Sequence, residues 1–111
     1  MKLLTASIER KLRANSKLPD SRKADLKPVL KLFNPTGAAT WLITELDADN
    51  ILFGLCDLGL GCAELGSVSL LELEQFRGRM GLGIERDRWF TADKSLAAYA
   101  DAARLEGRIV A

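Results

Sequence analysis

Thr40-Trp41-Leu42-Ile43-Thr44-Glu45-Leu46-Asp47-Ala48-Asp49-Asn50-Ile51-Leu52-Phe53-Gly54-Leu55-Cys56 is the stretch whose reading decides the fold. Thr40 to Leu46 is rich in tryptophan, isoleucine and threonine, the side chains that suit a pleated surface. Asp47-Ala48-Asp49-Asn50 follows as a four-residue hairpin connection built from turn formers. Ile51 to Cys56 is apolar on both parities, the pattern of a central strand covered on both faces. Two strands joined this tightly are antiparallel, and the second of them needs a neighbour on its far side.

The neighbours are close by in the chain. Upstream, Pro28 opens a strand over Val29 to Phe33, and Asn34-Pro35-Thr36-Gly37 closes it. Downstream, Asp57-Leu58-Gly59-Leu60-Gly61 is a glycine-rich turn, and a fourth strand over about Cys62 to Val68 completes a meander. The flanks read as helical. Thr5 is an N-cap with Leu4 before it, and Ile8 and Leu12 recur at helical spacing over residues 6–14, with Arg10, Arg13 and Lys17 on the opposite side. Pro19 and Asp20-Ser21-Arg22-Lys23 read as loop. Ser69 and Glu72 form a capping box for a short helix over residues 70–76, which Gly78 ends. Arg79 to Gly83 reads as loop, and Ile84 to Phe90 as a fifth short strand, suited to an edge, or an extended segment. Asp93 is read as the cap of a last helix, Lys94 to Leu105, with Gly107 as its C′ residue. The expected architecture is α+β: a small antiparallel sheet of four to five strands carrying N-terminal, middle and C-terminal helices.

Composition supports one domain over residues 1–111. The 111 residues are 48% hydrophobic and 28% charged, which is not the balance of a disordered chain. The net charge of +1 conceals strong segregation. Residues 1–31 hold nine basic and three acidic side chains, a net +6; residues 32–75 hold seven acidic and none basic, a net −7; residues 76–111 hold seven basic and five acidic, a net +2. Such blocks either neutralise one another in the fold or present a dipolar surface to partners.

Several chemistries are excluded. The chain has no histidine, which removes Ser-His-Asp and Cys-His catalysis and every His-ligated zinc site. Cys56 and Cys62 are too few for a disulfide scaffold and too few for zinc; they read as buried, inert thiols facing each other across a hairpin. The longest apolar run, Ile51 to Cys56, is far too short to span a membrane. Polar Thr5 and Ser7 interrupt any signal-like core. The expectation is a soluble cytoplasmic protein with no membrane partner, no metal and no cofactor.

The most informative cluster is Arg77-Gly78-Arg79-Met80-Gly81-Leu82-Gly83-Ile84-Glu85-Arg86-Asp87-Arg88-Trp89-Phe90, with four arginines, three glycines and two aromatics. Arginine forks phosphate and carboxylate bidentately, and an exposed Trp89 can stack or anchor, so Arg77, Arg79, Glu85, Arg86, Asp87, Arg88 and Trp89 form a candidate binding surface. The competing reading pairs Glu85 and Asp87 with Arg86 or Arg88 and places Trp89 and Phe90 in the core. As a strand, Glu85, Asp87 and Trp89 share one face and Ile84, Arg86, Arg88 and Phe90 the other. The glycines are not a dinucleotide fingerprint, since they follow a helix and open none. Arg10, Arg13 and Lys17 make a second basic surface, suited to phosphate contacts.

A family resemblance then emerges. Leu3-Leu4-Thr5, Leu32-Phe33-Asn34-Pro35-Thr36-Gly37, Thr40-Trp41, Thr44-Glu45, Phe53-Gly54-Leu55, Glu64-Leu65-Gly66, Ser69-Leu70, Glu72-Leu73-Glu74, Arg77-Gly78, Gly81-Leu82 and Ile84-Glu85-Arg86-Asp87 resemble, in order, the DUF2958 type of small bacterial proteins common on plasmids and mobile elements. The resemblance runs from about Leu3 to Phe90, which leaves residues 91–111 as a helical extension. Leu58 to Ala63 departs from the acidic, aromatic segment usual there, and Gly83 stands where a proline is usual. The resemblance implies a setting rather than an activity. With no catalytic residue to name, the expectation is a stoichiometric binding or regulatory protein of a mobile element, acting on a protein, such as a host-defence component, or on nucleic acid. The alternative is a small enzyme using Glu85 and Asp87, with a divalent metal, on a nucleic-acid or nucleotide substrate.

Overall fold

The Thr40–Cys56 hairpin lies at the heart of a five-stranded antiparallel sheet. A computed structural model describes residues 2–23 and 25–111. The strands are β1 (Leu30–Phe33), β2 (Thr40–Leu46), β3 (Ile51–Asp57), β4 (Glu64–Ser69) and β5 (Glu85–Arg86), in the order β4-β3-β2-β1-β5. The helices are α1 (Ala6–Ser16), α2 (Asp20–Lys23), α3 (Leu70–Gln75) and α4 (Leu96–Glu106). The α+β architecture expected from the sequence is the one observed.

The sheet is covered on both faces, which is why β3 is apolar on both parities. On one face Leu30, Leu32, Ile43, Leu46 and Leu52 pack with Leu12 of α1 and Leu73 of α3. On the other, Leu42 and Leu55 pack with Leu96, Tyr99, Ala100 and Ala103 of α4. Each fully buried leucine or isoleucine contributes about 1.5–3 kcal/mol relative to exposure. Gly54 lets the two central strands close up: a Cβ there would run into the Leu42 carbonyl oxygen and sit 2.8 Å from the Ile43 Cα.

The β2–β3 ladder is not regular. Ile43 pairs with Gly54 but Glu45 with Phe53, so Thr44 is an extra residue, a β-bulge. The bulge leaves the Thr44 carbonyl free to accept the Asn15 side-chain amide of α1 at 2.9 Å. It also turns Glu45 to the α4 face, where its carboxylate meets Lys23 at 3.0 Å.

Several local expectations are corrected. Asp20 to Lys23 forms one helical turn rather than loop. The cap of α4 is Ser95, which accepts the Ala98 N–H, while Asp93 instead accepts the Tyr99 hydroxyl proton. Gly107 does close that helix, at φ 77°. Arg79 to Gly81 forms a 3-10 turn with Met80 at φ 58°. β4 starts at Glu64, so Cys56 lies opposite Glu64 rather than Cys62. Cys62 is exposed and not buried, whereas burial pushes the Cys56 thiol up from its ordinary pKa.

Candidate functional site

The arginine-bearing segment forms no single cluster. It runs along the outer edge of β1, with Arg86 opposite Leu32 and Glu85 opposite Phe33. Gly78 sits beside Thr36 at one end, and Asp87 donates its N–H to the Lys31 carbonyl toward the other. Alternation along this edge sends Ile84 and Arg86 to the α1 face and Glu85 and Asp87 to the α4 face. Ile84 is buried in the first core and anchors the segment.

That placement separates structural from available groups. Arg86 Nη1 donates to the Leu3 carbonyl, so this guanidinium ties the N-terminal segment to the sheet edge. Arg77 Nη1 donates to the carbonyls of Glu74 at 3.0 Å and Phe76 at 2.6 Å, closing the end of α3. Asp87 is taken on both oxygens: one lies 3.7 Å from Lys31 Nζ, the other accepts the Trp89 N–H at 3.0 Å. The pairing of Glu85 or Asp87 with Arg86 or Arg88 is therefore not what forms; among the described residues the carboxylate–cation contact of this segment is Asp87 with Lys31. Both Asp87 oxygens are already committed, which leaves no free carboxylate beside Glu85 in this segment to share a metal or a proton.

Arg79, Arg88 and Trp89 are left exposed. Trp89 is 92% exposed, and the Asp87 carboxylate on its N–H holds its main chain in place. The core reading of this tryptophan is thereby overturned, whereas Phe90 does pack into the second core with its ring 6.4 Å from that of Tyr99. Arg88, Arg86 and Lys2 line a shallow cleft of about 210 Å³ next to Leu3, with Glu85 also part of its lining. On the other side of Trp89 a cleft of about 470 Å³ is lined by Phe90, Asp93, Lys94 and Tyr99. There the Tyr99 hydroxyl, 3.0 Å from Asp93, and the Lys94 ammonium hold the Asp93 carboxyl below its ordinary pKa. Lys94 Nζ also sits 4.7 Å from the centre of the Tyr99 ring.

The second basic surface is smaller than its sequence suggests. Arg13 is spent as a clamp: it bonds Glu9 at 2.9 Å and, at 2.8 Å each, the Asp47 carbonyl and the Asn50 side chain. Arg10 and Lys17 are exposed. Among the described residues no group of three or more Cys, Asp or Glu is arranged to hold a metal, and no helix is long and apolar enough to cross a membrane. Asn15, Thr44 and Asp57 are buried polar residues that the sequence does not mark, and among the described residues Asp57 is the buried carboxylate; an Asp in a glycine-rich turn reads as ordinary turn chemistry.

Residues 3–110 match the family described as Protein of unknown function (DUF2958). The chain belongs to this family. The match takes in all five strands and α4, and so continues past Phe90, where the motif resemblance stops. No curated protein matches the chain, and no solved structure does.

Proposed function

We propose that this DUF2958 protein is a non-catalytic binding and regulatory protein that docks an acidic surface of a partner protein through Arg88, Trp89 and the neighbouring basic cleft. The observation that carries this reading is the 92% exposure of Trp89 beside an exposed arginine. Tryptophan and arginine dominate binding energy at protein interfaces, and an ordered backbone lowers the entropy of docking them. Lys2 and Arg86 add positive charge next to Arg88 in the same cleft. Nucleic acid is the weaker candidate, because Arg13 is withdrawn from the N-terminal basic surface and Trp89 offers one stacking platform rather than a series. A carboxylate enzyme fares worse still, since Asp87 is held by Lys31 and by the Trp89 N–H. The setting, a cytoplasmic accessory protein of a bacterial mobile element aimed at a host component such as a defence protein, rests on the family resemblance alone.

Affinity capture from the native host at low and high salt tests the reading. The expected result is one protein retained in stoichiometric amount, with capture reduced at least about tenfold by Arg88→Ala combined with Trp89→Ala in a variant that remains folded. Undiminished capture by that variant, or recovery of nucleic acid alone, overturns it.

A further inference from the structure

The opposite edge of the sheet is also free. β4 has β3 on one side and no strand on the other. Leu70 of α3, continuing the β4 register, donates its N–H to the Asn50 carbonyl at 3.0 Å. In an antiparallel ladder, alternate residues turn their main-chain groups to the same neighbour. Val68 and Gly66 therefore address β3, and Ser67 and Leu65 turn their N–H and C=O groups outward. Beyond the exposed Glu64 at its start, this edge carries little of the usual protection. Glu64–Ser69 contains no proline and no lysine, its pairing with β3 runs without a bulge, and Leu65 is 47% exposed.

Charge selects what such an edge would accept. β2, β3, β4 and α3 lie wholly within residues 32–75, which have seven acidic and no basic side chains. Ser67, opposite Phe53, borders a cleft of about 380 Å³ whose floor is Phe53 and Ile51 and whose rim includes Asp20, Glu45 and Asp47. The cations that reach this region are already engaged: Lys23 with Glu45 at 3.0 Å, and Arg13 with Glu9 and the β2–β3 turn. A second copy adding its own β4 here would bring two acidic segments together, at an electrostatic cost.

We propose that the β4 edge receives an extended, basic segment of a partner protein as a sixth strand. Outward main-chain groups of Leu65 and Ser67 supply the ladder hydrogen bonds. A lysine or arginine beside Ser67 lays its aliphatic stem on Phe53 and its charge toward Glu45 and Asp47. This surface lies across the sheet from Trp89 and is independent of it, so opposite sheet edges take partners of opposite charge.

Random phage-displayed dodecapeptides panned on the full chain test the proposal. Enriched peptides should lack proline and carry lysine or arginine at alternate positions, and their binding should weaken with salt. On a selected peptide, amide exchange should slow at Leu65 and Ser67. Ser67→Pro removes an outward N–H without breaking the β3 ladder, and Leu65→Lys places a guarding charge on the edge; each should cost at least about tenfold in affinity. Folding of both variants is checked by circular dichroism, and retained affinity in either folded variant overturns the proposal. Enrichment that yields no basic peptides, no enrichment at all, or self-association that protects the same amides overturns it too; acidic peptides whose binding is lost in Trp89→Ala report the opposite edge and are set aside.

Discussion

The Asp57 carboxylate at the end of β3 accepts the main-chain N–H of Ile109 at 2.9 Å, joining the central sheet to the residue just beyond α4. Its other oxygen accepts the Gly59 N–H at 2.8 Å. One buried side chain thus shapes the turn after β3 and fastens the C-terminal segment over it. Asp57→Ala leaves both N–H groups without an acceptor, one of them in a buried bond, and should cost about 1–3 kcal/mol in urea unfolding. Limited proteolysis should then cut first near residues 107–111. Unchanged stability would show that the bond is incidental.

Gly54 is predicted to tolerate no side chain. Gly54→Ala drives a methyl group into the Leu42 carbonyl oxygen at the closest approach of β2 and β3. Neither strand can move away, because both faces are packed. The expected loss is about 3 kcal/mol or more, seen as a collapsed thermal transition or as insoluble protein. A variant melting like the parent would refute the close approach.

Arg86 and Arg88 stand two residues apart and should respond oppositely. Arg86→Ala removes the charge-assisted bond to the Leu3 carbonyl and should destabilise by about 1.5–3 kcal/mol. Arg88→Ala touches an exposed group without a bonded partner among the described residues, and should change stability by no more than about 0.5 kcal/mol. Paired denaturation curves of the two variants check this. Capture experiments should therefore use Arg88 and Trp89, since loss of Arg86 mixes unfolding with lost contact.

The Asp93 carboxyl titrates below the ordinary aspartate value because of the Tyr99 hydroxyl first and Lys94 second. A depressed carboxyl favours the fold above its unfolded pKa, and that contribution is lost as pH falls through the folded value. Tyr99→Phe should move the Asp93 midpoint up toward normal in a carboxyl-detected NMR titration, and Lys94→Met should move it less. Equal midpoints in wild type and Tyr99→Phe would dismiss the hydroxyl as the cause.

Element type and order were legible in the sequence because they depend on local signals. β-rich residues from Thr40 to Leu46, the Asp47–Asn50 turn, the two-sided apolar run from Ile51 and the Ser69 capping box each act within a few neighbours. The missing histidine and the charge segregation were equally plain, and both constrain chemistry whatever the fold. Matters that depend on contacts between distant residues needed the tertiary structure. The Thr44 bulge exists because Asn15 and Lys23 take up the groups it turns out. Asp57 is buried because Ile109 arrives from the far end of the chain, and Asp93 lost its capping role to Ser95 once Tyr99 claimed its carboxylate. Above all, the similar arginines at 13, 77, 86 and 88 have unlike fates. Arg13 and Arg86 are consumed by carbonyls that the fold brings from distant parts of the chain, Arg77 by the carbonyls that end its own helix, and Arg88, beside an exposed Trp89, by none among the described residues. Free and spent charges look alike in sequence, because a charge is spent only when packing carries a partner within hydrogen-bond reach.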